Sequence, residues 1–414
     1  VSLPRPYPRM TWLDAMNSTG TDRPDLRFGM TFRDVTDIFT ATGYSIFKQI
    51  LSRGGCIKGI NVEGQSEKLS KNILQNEYVK EIVPSFGVKG MTWMRVAEGK
   101  LESNIVQFFS EHERNEIMKR FDAKDGDVIL MIADPSWALV CSALGQLRLH
   151  VAERLSLIPE GVFYPLWVTD FPLFEATEYG VTSSHHPFTM PDRSDFDPGN
   201  TEELLSLRSR AYDLVVNGEE LGGGSIRINE RELQNKIFRA LGLSEEEVEE
   251  KFGFFLRALE YGAPPHGGIA LGIDRVVAMI LGTSSIREVI AFPKNRSAFC
   301  LLTQAPSAVA HEQLAELGLL DMGGTQPLPG TKEQQELVDM LSWVSRINIR
   351  SDERPQIVEA VEDAKCLAEL VNSNAGEGEP LFSVVPLANR TRKGTESRTS
   401  PLAEKGEIFK NAPA

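Results

Sequence analysis

Cysteine and long apolar runs are scarce in this sequence of 414 residues. Its four cysteines lie far apart and form no CxxC pair, which argues against a disulfide framework and a zinc site and indicates a reducing compartment. No apolar run reaches the roughly 18 residues of a membrane-spanning helix, so no membrane association is expected. The opening VSLPRPYPRMTW lacks the apolar core of a secretory signal and begins with Val, so a processed or incomplete chain is expected.

Basic residues are also fewer than acidic ones. The sequence has 44 Lys and Arg against 58 Asp and Glu, a net charge of −14. Any contact with nucleic acid must therefore use a local basic face rather than the field of the whole protein. Otherwise the composition is that of an ordinary globular protein, with 41% hydrophobic and 25% charged residues, and the length allows two or three domains.

The most informative stretch, residues 211–227, reads AYDLVVNGEELGGGSIR. Two apolar-rich runs flank Asn217-Gly218, a dipeptide typical of tight hairpin turns. Glu220 and Arg227 enclose three consecutive glycines, which leave no side chains and so let a ligand lie against the backbone. A carboxylate and a guanidinium would then frame that ligand. The alternative is a bulged hairpin with a surface ion pair, and this stretch alone does not separate the two.

A second glycine-rich stretch, residues 264–275, reads PPHGGIALGIDR. It predicts a short buried strand followed by a helix that begins near Ile273. Arg275 would lie in the first turn of that helix, beside backbone N–H groups that favour anionic ligands. We expect this arginine to be buried and paired with an anion, because a guanidinium cannot lose its charge.

Two adjacent histidines occur in SSHHPFTMPDR, residues 183–193. In an extended backbone His185 and His186 point to opposite sides, so that one could face a ligand while the other is buried or solvated. An ordinary loop histidine is the alternative for each.

Together these stretches resemble the catalytic domain of bacterial-type aspartyl-tRNA synthetases, a class II family. GIDR is similar to the family's motif 3, NGEELGGGSIR to its ATP- and aspartate-binding hairpin, and HHPFT to its aspartate-recognition loop. The resemblance implies ATP and Mg²⁺ as cofactors, aspartate and tRNA as partners, and Glu220 as a metal ligand. It implies ATP binding by Glu220, Gly272, Ile273, Asp274 and Arg275, and aspartate binding by His185 and Arg227. No catalytic residue is assigned.

The predicted fold class is α+β: a partial class II antiparallel sheet with an α+β insertion domain, then a C-terminal αα-hairpin with an extended tail. Within the insertion domain, TGYSIFKQIL and GCIKGINVEG are expected to be strands or strand ends, while the run GDVILMIAD is assigned to the catalytic domain. The expected domains are a lead-in at 1–30, the insertion domain at 31–125, the partial catalytic domain at 126–320, a Gly/Pro linker at 321–330 and a C-terminal module at 331–414.

The resemblance to the synthetase covers residues 1–320 without an anticodon-binding barrel, motif 1 or motif 2. The motif 2 arginine that acts on the reacting phosphate is therefore expected to be missing, and aspartate activation by this chain alone is expected to be poor.

Residues 331–414 contain two amphipathic helical patterns, then EP, VVPLANRTR and NAP. Their order resembles the GatC family, a component of the tRNA-dependent amidotransferase, which implies wrapping between amidotransferase subunits A and B. The residues expected to bind those partners are Leu341, Val361, Pro386, Leu387 and Arg390.

Two functions follow from these resemblances. The first is a GatC-like role in converting misacylated Glu-tRNA(Gln) or Asp-tRNA(Asn), fused to an incomplete synthetase. The alternative is an aspartyl-tRNA synthetase fragment that attaches aspartate to tRNA with ATP. A true fusion, a fragment and an artefact that joins neighbouring genes are all open. Either function implies the bacterial cytoplasm or an organelle matrix, such as that of a chloroplast or mitochondrion.

Overall fold

The computed structural model describes Leu3 and residues 5–178, 180–307 and 309–318, and the chain divides into two units, Val1–Lys294 and Asn295–Ala414. The strands are β1 (Arg9–Thr11), β2 (Arg33–Asp34), β3 (Cys56–Val62), β4 (Thr92–Ala97), β5 (Lys100–Glu102), β6 (Val128–Asp134), β7 (Pro165–Thr169), β8 (Phe174–Thr177), β9 (Gly180–Ser183), β10 (Ala211–Val216), β11 (Glu219–Ile226) and β12 (Gly267–Leu271). The α-helices are α1 (Trp12–Thr19), α2 (Ser45–Leu51), α3 (Val83–Ser85), α4 (Glu111–Arg120), α5 (Trp137–Arg154), α6 (Thr201–Ser206), α7 (Arg231–Ala240), α8 (Glu245–Glu260), α9 (Ile273–Leu281) and α10 (His311–Glu316).

The candidate site lies on a five-stranded sheet of the first unit, with strand order β1-β7-β10-β11-β12. All of its pairs are antiparallel except β1–β7. One face is covered by α1, whose Ala15 is fully buried against Leu166, Val168 and Val215. The fold is therefore α+β with a largely antiparallel sheet, as the sequence predicts.

The hairpin turn between β10 and β11 is the one that Asn217-Gly218 predicts. The φ angles are 55° at Asn217 and 87° at Gly218, the left-handed values that both central residues of a type I′ turn require. The Asn217 side chain also ties the turn to the segment before β7, because it accepts a hydrogen bond from the Tyr164 amide at 2.9 Å and donates to the Val162 carbonyl at 2.7 Å. The turn is thus fixed both locally and by tertiary contacts.

A second five-stranded sheet has the order β2-β3-β6-β4-β5. Its central strand is β6, which the sequence analysis assigned to the catalytic domain. Alternate residues of β6 are buried in two clusters, Leu130 and Ile132 in one and Ile129 and Met131 in the other, so an apolar run of this kind suits a strand covered on both faces. The sheet therefore continues past residue 125, while the domain limits as a whole remain a prediction.

TGYSIFKQIL was expected to be a strand or strand end, but it forms α2. The reason is packing. Phe47 on α2 is buried beside Phe39 and Phe109, and tertiary packing of an apolar side chain stabilises a helix even where the local pattern is ambiguous. GCIKGINVEG does contain the predicted strand, β3.

Helix α8 begins with the predicted capping box, in which Ser244 and Glu247 each accept from the other's backbone N–H. In the second unit the described residues form turns centred on Asn295, whose side chain accepts from the Ser297 and Phe299 amides, and the short helix α10. None of the helices in the described part of the chain combines the length and the apolar character needed to cross a bilayer. The predicted αα-hairpin and tail at 331–414 lie outside the described residues.

Candidate active site

The three glycines of β11 lie between β10 and β12, and they do not all serve the same purpose. A Cβ at Gly224 would overlap the Gly268 carbonyl oxygen and lie 2.8 Å from the Tyr212 ring, and one at Gly222 would lie 2.6 Å from the Ala270 carbonyl oxygen. These two glycines therefore let β11 lie close to the neighbouring strands of the same sheet. Only Gly223 faces a pair of carboxylates, the position where a ligand could approach the backbone.

That carboxylate pair is Asp213 on β10 and Glu220 on β11. Asp213 is directly opposite Gly223 in the ladder, and a Cβ at Gly223 would collide with Asp213 Oδ1 and lie 3.4 Å from Glu220 Oε1. Burial, and then the charge of Glu220, raise the pKa of Asp213 to about 7. Two carboxylates that border the same glycine supply oxygen ligands of the kind that divalent cations prefer.

Asp213 was absent from the sequence-predicted site. The signal that could have found it is its place in the hairpin: it lies four residues before Asn217, and the register of the tight turn brings it opposite the glycines. Because Asp213 lies between Tyr212 and Leu214, the pattern is that of an ordinary half-buried strand, and it does not mark the carboxylate as part of a site.

Arg275 is held against Glu220, so the two predicted ATP-binding residues lie together. Its Nη1 donates to the Glu220 backbone carbonyl at 2.8 Å and lies 3.5 Å from Glu220 Oε2. The side chain is 43% exposed, so the expectation of a buried arginine is wrong: β12 is an edge strand, and α9 lies at the rim of the sheet. The helix begins at Ile273 as predicted, and Gly272, Ile273 and Asp274 surround its exposed first turn.

At the other end of β11, Arg227 contacts His186. Arg227 Nη1 lies 3.0 Å from His186 Nδ1 and also touches Nε2, and the Phe188 amide donates to Nδ1 at 3.2 Å. Because guanidinium and amide groups only donate, this imidazole must be neutral. Burial, and then the charges of Arg227 and His185, lower the pKa of His186, which agrees with a neutral ring.

The two histidines have different surroundings, and the one beside Arg227 is His186. His185 is exposed, and its ring packs edge-on against Phe171 at 5.1 Å. Both lie just after β9 ends at Ser183, and only the tertiary position of Arg227 decides which of them it contacts. The aspartate-binding role of His185 remains a prediction.

Comparison with known families fits this arrangement. The family described as tRNA synthetases class II (D, K and N) matches residues 1–296. The chain belongs to this family. The part that matches includes both of its five-stranded sheets and the hairpin, the histidine loop and α9, which together form the candidate site of this class II chain.

Two bacterial relatives are similar over most or all of the chain. The aspartate–tRNA(Asp/Asn) ligase 1 of Syntrophus aciditrophicus (strain SB) is 67% identical over 415 residues, which are 100% of this chain and 57% of that protein. The aspartate–tRNA(Asp/Asn) ligase of Persephonella marina (strain DSM 14350 / EX-H1) is 47% identical over 77% of this chain and 53% of its own length. The chain thus spans about half the length of the relatives that it matches.

Among solved structures, the asparaginyl-tRNA synthetase of Pyrococcus horikoshii overlaps 32% of this chain and 26% of its own at 22% identity, with a TM-score of 0.24. An overlap as slight as this carries no argument about the fold.

The principal function predicted from the sequence, a GatC-like component of the amidotransferase, is wrong. The relative that aligns with 100% of this chain, the C-terminal segment included, is a ligase that acts on aspartate and tRNA. Short motifs such as EP and VVPLANRTR gave the misleading resemblance, because a few residues in order are weak support beside an alignment of the full length. Leu341, Val361, Pro386, Leu387 and Arg390 lie outside the described residues.

Proposed function

We propose that this chain carries the aspartate- and ATP-binding part of an enzyme that activates aspartate with ATP and attaches it to tRNA. The observation that carries the proposal is the placement of two polar pairs at the two ends of the glycine strand β11: Arg227 with the neutral His186 at one end, and Glu220 with Arg275 at the other. An amino acid and a nucleotide could thus lie side by side along β11. The relatives' names support tRNA(Asp/Asn) as the tRNA substrate.

Aspartate would be recognised through Arg227. Its guanidinium can bind a carboxylate with two parallel hydrogen bonds, whereas the amide of asparagine cannot accept both of them. His186 holds the guanidinium at the end of β11 and, being neutral, does not compete with it for the carboxylate. Aspartate would therefore replace an imidazole contact with a stronger, charge-assisted one.

ATP would lie at Glu220 and at the first turn of α9, where Gly272 begins the helix and Arg275 spans the gap back to β11. The backbone N–H groups of a helix N-terminus and a guanidinium both favour the phosphates of a nucleotide. By removing the side chain between two carboxylates, Gly223 lets the nucleotide approach the strand.

Mg²⁺ fits the carboxylate pair. Asp213 and Glu220 supply the hard oxygen ligands that this ion prefers, and a cation would offset the charge of Glu220 that, after burial, raises the pKa of Asp213. Mg²⁺ usually keeps several waters and binds through one or two carboxylates together with substrate phosphates, so two carboxylates are enough for such a site. When bound, the ion would neutralise charge on the phosphates of ATP.

The bacterial origin of both relatives supports the bacterial cytoplasm, rather than an organelle, as the place of action. The reaction is tested first by binding. Calorimetry on the full chain should show binding of aspartate in preference to asparagine, and of ATP in a manner that depends on Mg²⁺. A chain that bound neither aspartate nor Mg²⁺–ATP would contradict the proposal, and equal affinity for aspartate and asparagine would contradict the role of Arg227.

A further inference from the structure

Helix α7 contacts the histidine loop, residues 183–193, through two side chains that lie four residues apart. Gln234 is fully buried, and its Nε2 donates to the Pro187 carbonyl at 2.8 Å. Phe238 is also fully buried, and its ring packs edge-on against that of Phe188, with the ring centroids 6.2 Å apart. Because residues four apart lie on the same face of a helix, α7 holds two consecutive residues of the loop.

Pro187 joins the histidine that contacts Arg227 to the residue that orients its ring. The Phe188 amide donates to His186 Nδ1 at 3.2 Å, and the Phe188 carbonyl accepts from the Ile228 amide at 2.9 Å. His186 Nδ1 lies 3.0 Å from Arg227 Nη1. The carbonyl that α7 holds is therefore one residue away from the imidazole at the end of β11.

Core packing alone does not account for a glutamine at this position of α7. The Gln234 Oε1 atom is buried and has no hydrogen-bond partner among the residues that the structure describes. Leu233 and Ile237, on the same helix, are buried apolar side chains. An apolar side chain at position 234 would likewise avoid the cost of an unpaired buried oxygen. What the amide supplies in return is the hydrogen bond from its Nε2 to Pro187.

We propose that Gln234 is a positioning residue for aspartate recognition, which holds residues 186–188 so that His186 stays against Arg227. This inference rests on the proposed function. Gln234 acts through the imidazole and not on the amino acid itself. Without its bond the partly buried Pro187 carbonyl would lose its donor, and the loop would shift to find another, because buried backbone groups are almost always paired. Arg227 would then lose the contact that fixes the direction of its guanidinium.

The test compares aspartate with a ligand expected at the other end of β11. In the full chain, Gln234→Met keeps the length of the side chain but not its donor, so the affinity for aspartate should fall about threefold to tenfold. The affinity for Mg²⁺–ATP should stay the same, because Glu220 and Arg275 lie at the far end of the strand. Ile237→Val trims another buried side chain of α7, so it is the matched control and should change neither affinity. Calorimetry measures both ligands.

Two further measurements separate positioning from a general loss of stability. An NMR titration of the ligand-free chain follows the His186 imidazole, whose pKa is lowered by burial and then by the charges of Arg227 and His185. In Gln234→Met the ring is released, so this pKa should rise towards the ordinary value for histidine, whereas Ile237→Val should leave it unchanged. Gln234→Glu can donate only when it is protonated. Its affinity for aspartate, relative to the wild type at the same pH, should therefore be higher at pH 6 than at pH 8.

Each other outcome counts against the proposal. If Gln234→Met weakens aspartate and Mg²⁺–ATP equally, the residue supports the fold as a whole. If the affinity for aspartate falls but the pKa of His186 does not move, Gln234 does not act through the imidazole. If the variant binds aspartate like the wild type, Gln234 has no part in recognition while the proposed function stands. If the wild-type chain binds no aspartate, the proposed function fails, and the role of Gln234 in recognition fails with it.

Discussion

Gly223 lies directly opposite Asp213 in the β10–β11 ladder, in the one place of the strand where a methyl group would meet a carboxylate rather than a neighbouring backbone. The absent side chain leaves Asp213 and Glu220 on one surface with nothing between them. Both carboxylates thus border the same open backbone position, and burial, followed by the charge of Glu220, raises the pKa of Asp213.

Divalent-ion affinity should depend on pH near neutrality. Burial and Glu220 raise the pKa of Asp213 to about 7, so below that pH the carboxylate is protonated and cannot bind a cation. From pH 8 to pH 6 we expect the affinity for Mn²⁺ to fall about tenfold, as the ionised fraction of a group with this pKa falls. Titrations followed by electron paramagnetic resonance measure this. Asp213→Asn should bind Mn²⁺ weakly at both pH values, and a wild-type affinity that is flat across this range would contradict the assignment.

The stability of the ligand-free protein should show the opposite dependence. Because the pKa of Asp213 is raised in the folded state, the folded protein holds a proton that the unfolded chain has lost between about pH 4 and pH 7. The contribution of Asp213 to the free energy of unfolding is thus fully present at low pH and is lost as the pH rises through 7. Asp213→Asn removes that loss and should stabilise the protein by about 1–2 kcal/mol at pH 8, after an allowance for partial exposure, and by little at pH 4. Urea unfolding at the two pH values decides it, and equal effects at both would show that the charge is not the cause.

Arg227→Lys should lose most of the affinity for aspartate. A lysine retains the charge but not the planar fork that pairs with both carboxylate oxygens, so a drop of about tenfold or more is expected, together with weaker discrimination against asparagine. Calorimetry with both amino acids provides the measurement. Arg231→Lys, which alters an exposed surface ion pair with Glu260, is the control and should bind aspartate like the wild type. Unchanged aspartate affinity in Arg227→Lys would remove Arg227 from the site.

Two glycines across the β11–β12 ladder should respond very differently to alanine. At Gly224 the methyl group would overlap the Gly268 carbonyl oxygen and crowd Tyr212, so Gly224→Ala should destabilise the fold by about 1–3 kcal/mol. At Gly268 a Cβ would meet nothing within 4 Å, so Gly268→Ala should be close to neutral. Denaturant unfolding of the two variants gives the comparison. Similar losses at both positions would show that the close approach of these strands is not what requires glycine.

Arg148 should be far more important to stability than Arg154 on the same helix. Arg148→Met leaves the buried carbonyl of Asp25 and the partly buried one of Gly29 without their donor, and a loss of about 3 kcal/mol is expected. Arg154 forms an ion pair with Glu77 and is 35% exposed, so Arg154→Met should cost about 1 kcal/mol or less. Unfolding by urea separates the two values. Comparable losses would mean that the loop at 20–30, between α1 and β2, does not depend on the buried guanidinium.

Features that depend on a few neighbouring residues could be predicted from the sequence. Asn217-Gly218 forms the expected turn because both residues accept left-handed φ angles, Ser244 caps α8, and α9 begins at Ile273 after a glycine approach. The family is also apparent from short strings such as HHPFT and GIDR, and its match to residues 1–296 confirms it.

Predictions from the sequence were wrong for features that depend on residues far apart in the chain. Helix α2 was expected to be a strand because its apolar residues fit either period, and the packing of Phe47 against Phe39 selects the helix. The GatC-like interpretation of the tail failed for a different reason: its motifs were too short to outweigh a relative similar over 100% of the chain.

By itself, therefore, the sequence determined the local structural features of this protein: the turn, the caps, the glycine strand and the charged residues at its ends. Only the tertiary structure decided that His186 rather than His185 contacts Arg227, that Asp213 joins Glu220, and that Arg275 is half exposed. The physical reason is that turns and caps are fixed by bonds within a few residues, whereas burial and the pairing of charges depend on which strands and loops pack together. A side chain on β10 has no partner on β11 until the ladder sets the register.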